Sequence, residues 1–163
     1  MNENNKKCFG IIERLNLHPR VVTHEPILNY ETANKVDEEL GLTGIETKTL
    51  FLKSKKGDNH YLFITLASER MDSKLLKNIL GEKITMVTGD EMIELTGMQP
   101  GCMTPFGLKD GLIQKVVVDP KIYKEKKLIL AFGSETMSVE MTPEDLKTIL
   151  EDIYSDNLVY LEN

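Results

Sequence analysis

"ETKTLFLKSKKGDNHYLFITL", residues 46–66, decides the fold. Two apolar runs, "TKTLFLKS" and "HYLFITL", flank "KKGDN", whose glycine, aspartate and asparagine can adopt the positive φ that a chain reversal needs. The stretch therefore predicts a β-hairpin. Near its mouth stands Lys48, a lysine at the start of an otherwise apolar strand. Such a lysine is either a solvated strand end or a cation kept for a ligand.

Working outward, helices and strands interleave. "NKKCFGIIERLNL" places Cys8, Ile11, Ile12 and Leu15 at helical spacing, and "RVVTHEP" reads as a short strand stopped by Pro26. "NYETANKVDEELG" predicts a helix that ends at Gly41, where a left-handed cap fits. Downstream, "MDSKLLKNILG" is a helix with Asp72 or Ser73 as N-cap, "KITMVT" a strand, and "GDEMIELTG" a short helix closed by Gly97. "MQPGCMTPFGLKDG" holds too much glycine and proline for regular structure. "IQKVVVD", "KLILAFG" and "TMSVEM" read as strands, and "TPEDLKTILEDI" as a helix with Thr142 at N-cap and Pro143 at its first position. Hairpins among helices imply a mixed α/β architecture with one mixed sheet, in place of a purely parallel one.

A chain of 163 residues suits a single domain, residues 1–163, with a real core and a pocket beside it. With 40% apolar and 28% charged residues it matches ordinary globular proteins, and no apolar run reaches the roughly 18 residues of a membrane span. "MNENNKKCFG" has no apolar segment to act as a signal peptide, so the expected location is cytoplasmic with no membrane partner. Cys8 and Cys102 are too few for a disulfide framework or a zinc cluster and read as reduced thiols. A net charge of −6 excludes a broad basic nucleic-acid footprint, so any such contact is local.

The chain carries no His-x-x-x-His, paired Cys-x-x-Cys, Walker loop or Gly-x-Gly-x-x-Gly. We therefore expect no metal and no cofactor. The loop with Pro100, Gly101 and Pro105 reads either as plain surface or as a tight turn presenting backbone N–H groups to an anion or carbonyl. Cys102 within it qualifies as a nucleophile only with a base in reach, and His18, His24 and His60 are all distant in sequence. The eight methionines read as core fillers.

"KTLFLKSKKGDNHYLFIT" followed some fifty residues later by "PGCMTPFGL" resembles the YbaK/ProX family of aminoacyl-tRNA editing domains. In that family a Lys-x-Leu-Phe-Leu strand precedes a Gly-x-x-x-Pro loop, here Gly101 to Pro105, and Phe106-Gly107-Leu108 extends the likeness. "VVTHEPILNYETA" and "LAFGSETMSVEMTPEDL" widen it to almost the whole chain.

The resemblance implies a mixed sheet, partly rolled like a barrel and flanked by helices. Its pocket would take the acceptor end of a mischarged tRNA and hydrolyse the ester of the wrong amino acid, foremost alanine or cysteine on proline tRNA. A prolyl-tRNA synthetase is the implied partner. Lys48 and Gly101 carry the implied catalytic roles, the lysine at the terminal nucleotide or carbonyl and the loop at the developing oxyanion. Tyr30, Thr49, Thr104, Pro105, Phe106 and Gly133 are the implied substrate contacts. Two positions depart from the alanine-specific branch: Thr49 stands where asparagine is common, and "LAFGSE" replaces a His-Pro segment. Gly133 is instead similar to the cysteine-specific branch. Alanine, cysteine, serine and threonine thus remain open as the amino acid removed. A non-catalytic module that binds aminoacyl-tRNA or an amino acid is the second reading, and an ester hydrolase using Cys102 the third.

Overall fold

The computed structural model describes residues 1–162. The hairpin forms as β2 (Ile45–Ser54) and β3 (His60–Leu66), with Lys48 opposite Thr65 and Lys53 opposite His60. β3 is covered on both faces: Leu62 and Ile64 join the main apolar cluster, while Tyr61 and Phe63 join a second one. Such a strand reads as a continuous apolar run, as "HYLFITL" does.

The sheet grows from both sides of this hairpin. β5 (Lys115–Val118) lies parallel to β3, and β8 (Leu158–Tyr160) parallel to β5. On the other side β6 (Leu128–Ser134) runs parallel to the start of β2, β7 (Met137–Met141) antiparallel to β6, and β1 (Arg20–Thr23) antiparallel to β7. The order is β1-β7-β6-β2-β3-β5-β8, with β4 (Ile84–Met86) attached to the far end of β2. The sheet is mixed, as the hairpin implies. It is not closed: β1 and β8 end it, so the barrel-like roll stops short of a barrel among the described residues.

Helices cover the sheet. α1 (Glu3–Arg14) starts at a capping box formed by Asn2 and Asn5 and buries Cys8 and Ile12. Its Asn5 amide donates to the Phe132 carbonyl at 2.6 Å and that of Asn2 to the Gly133 carbonyl at 3.2 Å, which pins the helix to β6. α2 (Tyr30–Leu40) is capped by Asn29 and ends at Gly41 with φ 69°, as the sequence predicts. α3 (Ser73–Leu80), α4 (Gly89–Thr96) and α5 (Pro143–Tyr154) start at side-chain caps from Asp72, Thr88 and Thr142. α3 puts Leu76 and Leu80 into the second cluster, and α5 puts Leu146, Ile149 and Leu150 into the main one.

One edge of β2 is only partly used. Even-numbered residues aim their backbone polar groups at β3, as shown by Ala67 N–H to Glu46 C=O at 2.9 Å and Ser54 N–H to Asn59 C=O at 3.0 Å. Odd-numbered residues face the opposite edge, where Ile45 N–H reaches the Lys127 carbonyl and Val87 N–H reaches the Phe51 carbonyl, both at 2.9 Å. That edge pairs with β6 only at Ile45 and Glu46, and with β4 only from Leu52 to Ser54. Between the two, the N–H and C=O of Thr49 face no strand. β6 diverges here through an irregularity between Ala131 and Ser134, where Gly133 adopts φ 92°.

Candidate active site

The gap between β6 and β4 is a cavity of about 260 Å³. Its floor is the run Glu46 to Phe51 of β2, and its sides come from the start of α2, from β6 and β7, and from the loop Pro100 to Met103. Met86, Met92, Leu130 and Met137 make the interior apolar. Thr49 lines it with a buried side chain and with the backbone groups left free by the sheet. A strand edge of this kind offers a donor and an acceptor at fixed spacing, which suits an ester carbonyl and its neighbouring groups.

Lys48 borders the cavity, half-buried. Its ammonium donates to the Glu69 carbonyl in the loop after β3, while the Glu69 carboxylate pairs with Lys121 at 2.9 Å. A neutral carbonyl orients the Lys48 ammonium without cancelling its charge, which leaves it able to attract an anionic or carbonyl oxygen.

Gly101 lies on the opposite wall with φ 86°, and a Cβ there would stand 3.4 Å from the Leu28 carbonyl. The left-handed conformation favours glycine, and the turn is closed by Cys102 N–H to the Gln99 carbonyl at 2.9 Å. The Cys102 thiol lines the same wall, donates to the Ile27 carbonyl at 3.4 Å, and is pushed up to about 11 by burial and by the charge of Glu135. It stays a thiol at neutral pH, which argues against its use as a nucleophile.

The predicted site residues divide into two groups. Lys48, Thr49, Gly101 and Tyr30 line the cavity, the last at its rim and 44% exposed. Thr104, Pro105, Phe106 and Gly133 do not line it. Thr104 and Phe106 are fully buried, Phe106 stacks edge-on against Phe132 at 6.0 Å, and the Pro105 carbonyl accepts from the Tyr154 hydroxyl. Gly133 sits under α1, where a Cβ would come within 2.8 Å of Asn4 and Asn5 backbone. These four pack behind the walls of the cavity.

Glu46, His24 and Ser138 also line the cavity; the sequence weighs His24 only as a distant base for Cys102 and gives the other two no role. His24 Nδ1 donates to the Glu25 carbonyl at 2.7 Å, and its Nε2 lies 2.8 Å from the Ser138 hydroxyl. Glu46 had an available signal. It lies two residues before Lys48, hence on the same face of the strand. Among the described residues no group of three His, Cys, Asp or Glu side chains is placed to hold a metal ion.

The profile of the aminoacyl-tRNA editing domain matches residues 27–149, three quarters of the chain and the whole cavity except His24. The chain belongs to the aminoacyl-tRNA editing domain family. Among curated relatives it is 25% identical over 143 residues to the prolyl-tRNA editing protein ProX of Acetoanaerobium sticklandii, covering 86% of each chain. It is 29% identical over 106 residues to the multifunctional Ser/Thr-tRNA deacylase ProXp-y of Escherichia coli K12, covering 64% of this chain and 62% of that one. A solved candidate trans-editing enzyme for prolyl tRNA synthetase superposes with a TM-score of 0.76 at 22% identity, over 100% of this chain and 99% of that one. At that identity the superposition speaks for the fold.

Proposed function

We propose that this editing domain acts as a free-standing aminoacyl-tRNA deacylase, hydrolysing the ester between a wrongly attached amino acid and the terminal adenosine. The observation that carries the reading is the convergence of Lys48, the free strand edge at Thr49 and the Gly101 turn on one cavity. Its small, methionine-lined interior suits a short side chain and rejects a large one. A synthetase discriminates one methylene by only about 1–3 kcal/mol, so a second sieve of this size has a task to perform.

In the proposed reaction water attacks the ester, which is already activated, and the domain supplies position and electrostatics. Lys48 holds the terminal nucleotide or the carbonyl region, while the N–H of Thr49 or of the Gly101 turn meets the developing oxyanion. A ribose hydroxyl of the substrate assists the water. Proline tRNA carrying alanine or cysteine is the proposed substrate, and a prolyl-tRNA synthetase in the cytoplasm the proposed partner. The names of two relatives, one a prolyl-tRNA editing protein and one a Ser/Thr-tRNA deacylase, support the substrate class.

The test is a deacylation panel: proline tRNA charged with alanine, cysteine, serine or threonine, and each of these amino acids on its own tRNA. Release of alanine or cysteine from proline tRNA, unchanged after dialysis against EDTA, is the expected result. Binding without release on every member would establish the non-catalytic reading instead.

A further inference from the structure

Every aminoacyl ester carries an α-amino group one carbon from the carbonyl, and a cavity that holds the ester must also place that group. Glu46 stands in the cavity wall two residues from Lys48 on the same strand face. Behind it, on α2, Asp37 is 8% exposed, and no N–H or hydroxyl of the described chain reaches its Oδ1. The two carboxyl groups are close enough to act on one another: Asp37 pushes Glu46 up, and Glu46 holds Asp37 down against the burial that raises it.

Each neighbour that faces this pair is accounted for. Glu140 of β7 receives the N–H groups of Thr43 and Gly44 at 2.9 Å and lies 3.7 Å from the Lys127 ammonium, so its charge is met locally. His24, which follows β1, has both ring nitrogens engaged, with the Glu25 carbonyl and the Ser138 hydroxyl, and it favours the ionised form of Asp37. The Lys48 ammonium is turned to the Glu69 carbonyl, and the Tyr30 hydroxyl at the rim is an uncharged group held protonated by burial and by the charge of Glu46. The chain thus sets Glu46 in the cavity wall with the buried Asp37 behind it, and it directs its lysines elsewhere. Two carboxylates side by side in a buried site cannot both ionise without a cation between or beside them. A proton can fill that role: burial, then the neighbouring Asp37, push Glu46 up to about 9.

We propose that Glu46, positioned by Asp37, receives the α-ammonium of the aminoacyl group, so that the cavity selects free over N-acylated aminoacyl esters. This rests on the deacylase reading for its substrate but not for its measurement. When the ammonium docks, the Glu46 proton leaves to water and the carboxylate meets the cation. The ester carbonyl is then fixed between that anchor and the Thr49 and Gly101 backbone. An N-acylated substrate offers neither the cation nor the space.

The test measures binding of 3′-aminoacylamino-3′-deoxyadenosine, whose amide the reaction does not cleave, and of its N-acetyl counterpart. Wild type, Glu46→Gln and Asp37→Asn are compared by calorimetry. Wild type is expected to bind the free form at least tenfold more tightly than the N-acetyl form. Glu46→Gln is expected to lose that preference through weaker binding of the free form alone, and Asp37→Asn to shift the pH at which the preference appears. Equal binding of both forms by wild type, or an unchanged preference in Glu46→Gln, overturns the proposal even if deacylation is observed. An intact preference with no deacylation overturns the deacylase reading and leaves this one standing. Failure of wild type to bind either form overturns both.

Discussion

The two motif segments meet the cavity in different ways. Along β2 every residue from Glu46 to Phe51 lines it, whereas in the glycine–proline loop only Pro100 to Met103 do and Thr104 to Phe106 turn into the core. The strand contributes a straight edge with free backbone groups and a cation. The loop contributes a turn whose front lines the cavity and whose back is fastened by Phe132 and Tyr154. Residues of one motif therefore divide into those that line the cavity and those that pack behind it, and mutation should separate the two.

The largest effect is expected at the front of the loop. Gly101→Val adds a branched side chain at φ 86° with the Leu28 carbonyl 3.4 Å from its Cβ, which closes the wall and disturbs the N–H groups beside it. Single-turnover deacylation should fall below detection while circular dichroism retains the fold. A variant as active as wild type would remove the loop from the site. Next comes Lys48→Ala, expected to lose on the order of tenfold to a thousandfold in kcat/KM with an unchanged melting temperature. Lys48→Arg should rescue poorly because the guanidinium fork differs in reach and shape.

Behind the wall the readout should invert. Gly133→Ala forces a Cβ to within 2.8 Å of α1 backbone, so we expect about 2 kcal/mol of lost stability, or a melting temperature lower by about 4–8 °C. The kcat of the surviving folded fraction should hold. A Gly133→Ala variant that melts normally but is inactive would make Gly133 a contact residue after all.

A separate readout is the pH dependence of stability set by the acidic wall. Glu46 rises from 4.5 unfolded to about 9 folded, so the folded state binds the extra proton and this contribution, full below pH 4.5, is lost as pH rises toward 9. Thermal melts should show wild type losing more stability than Glu46→Gln between pH 5 and 9. Parallel curves would contradict the burial of that acid. The smallest effect belongs to Cys102→Ala, whose thiol is held protonated by burial and by Glu135. Deacylation should stay close to wild type, and a folded but dead variant would reopen the cysteine as nucleophile.

Much of this fold is legible in the sequence because its signals are local. Gly41, Gly81 and Gly97 each end a helix in the left-handed conformation, and Asp72 and Thr142 cap the helices that follow them. β8 is not legible. Leu158 to Tyr160 is three residues long and gains its identity only by lying parallel to β5, a pairing made by the assembled sheet. The site follows the same rule. Lys48, Thr49 and Gly101 are found from their motifs, but nothing in "GCMTPFGL" tells where the chain turns from cavity to core. Glu46 is invisible as chemistry until α2 brings Asp37 against it, nine residues away in sequence but on a different element.

The central claim is that the cavity between β6 and β4 receives the aminoacyl adenosine. Met86, Met92, Met103 and Met137 line it, while Met71 and Met141 lie elsewhere. Methyl NMR of methionine-labelled protein, titrated with 3′-alanylamino-3′-deoxyadenosine, reads this without relying on turnover. The account predicts saturable shifts at the four lining methyl groups and none at Met71 or Met141. Shifts confined to Met71 or Met141, or no saturable shift at the lining four, would contradict it.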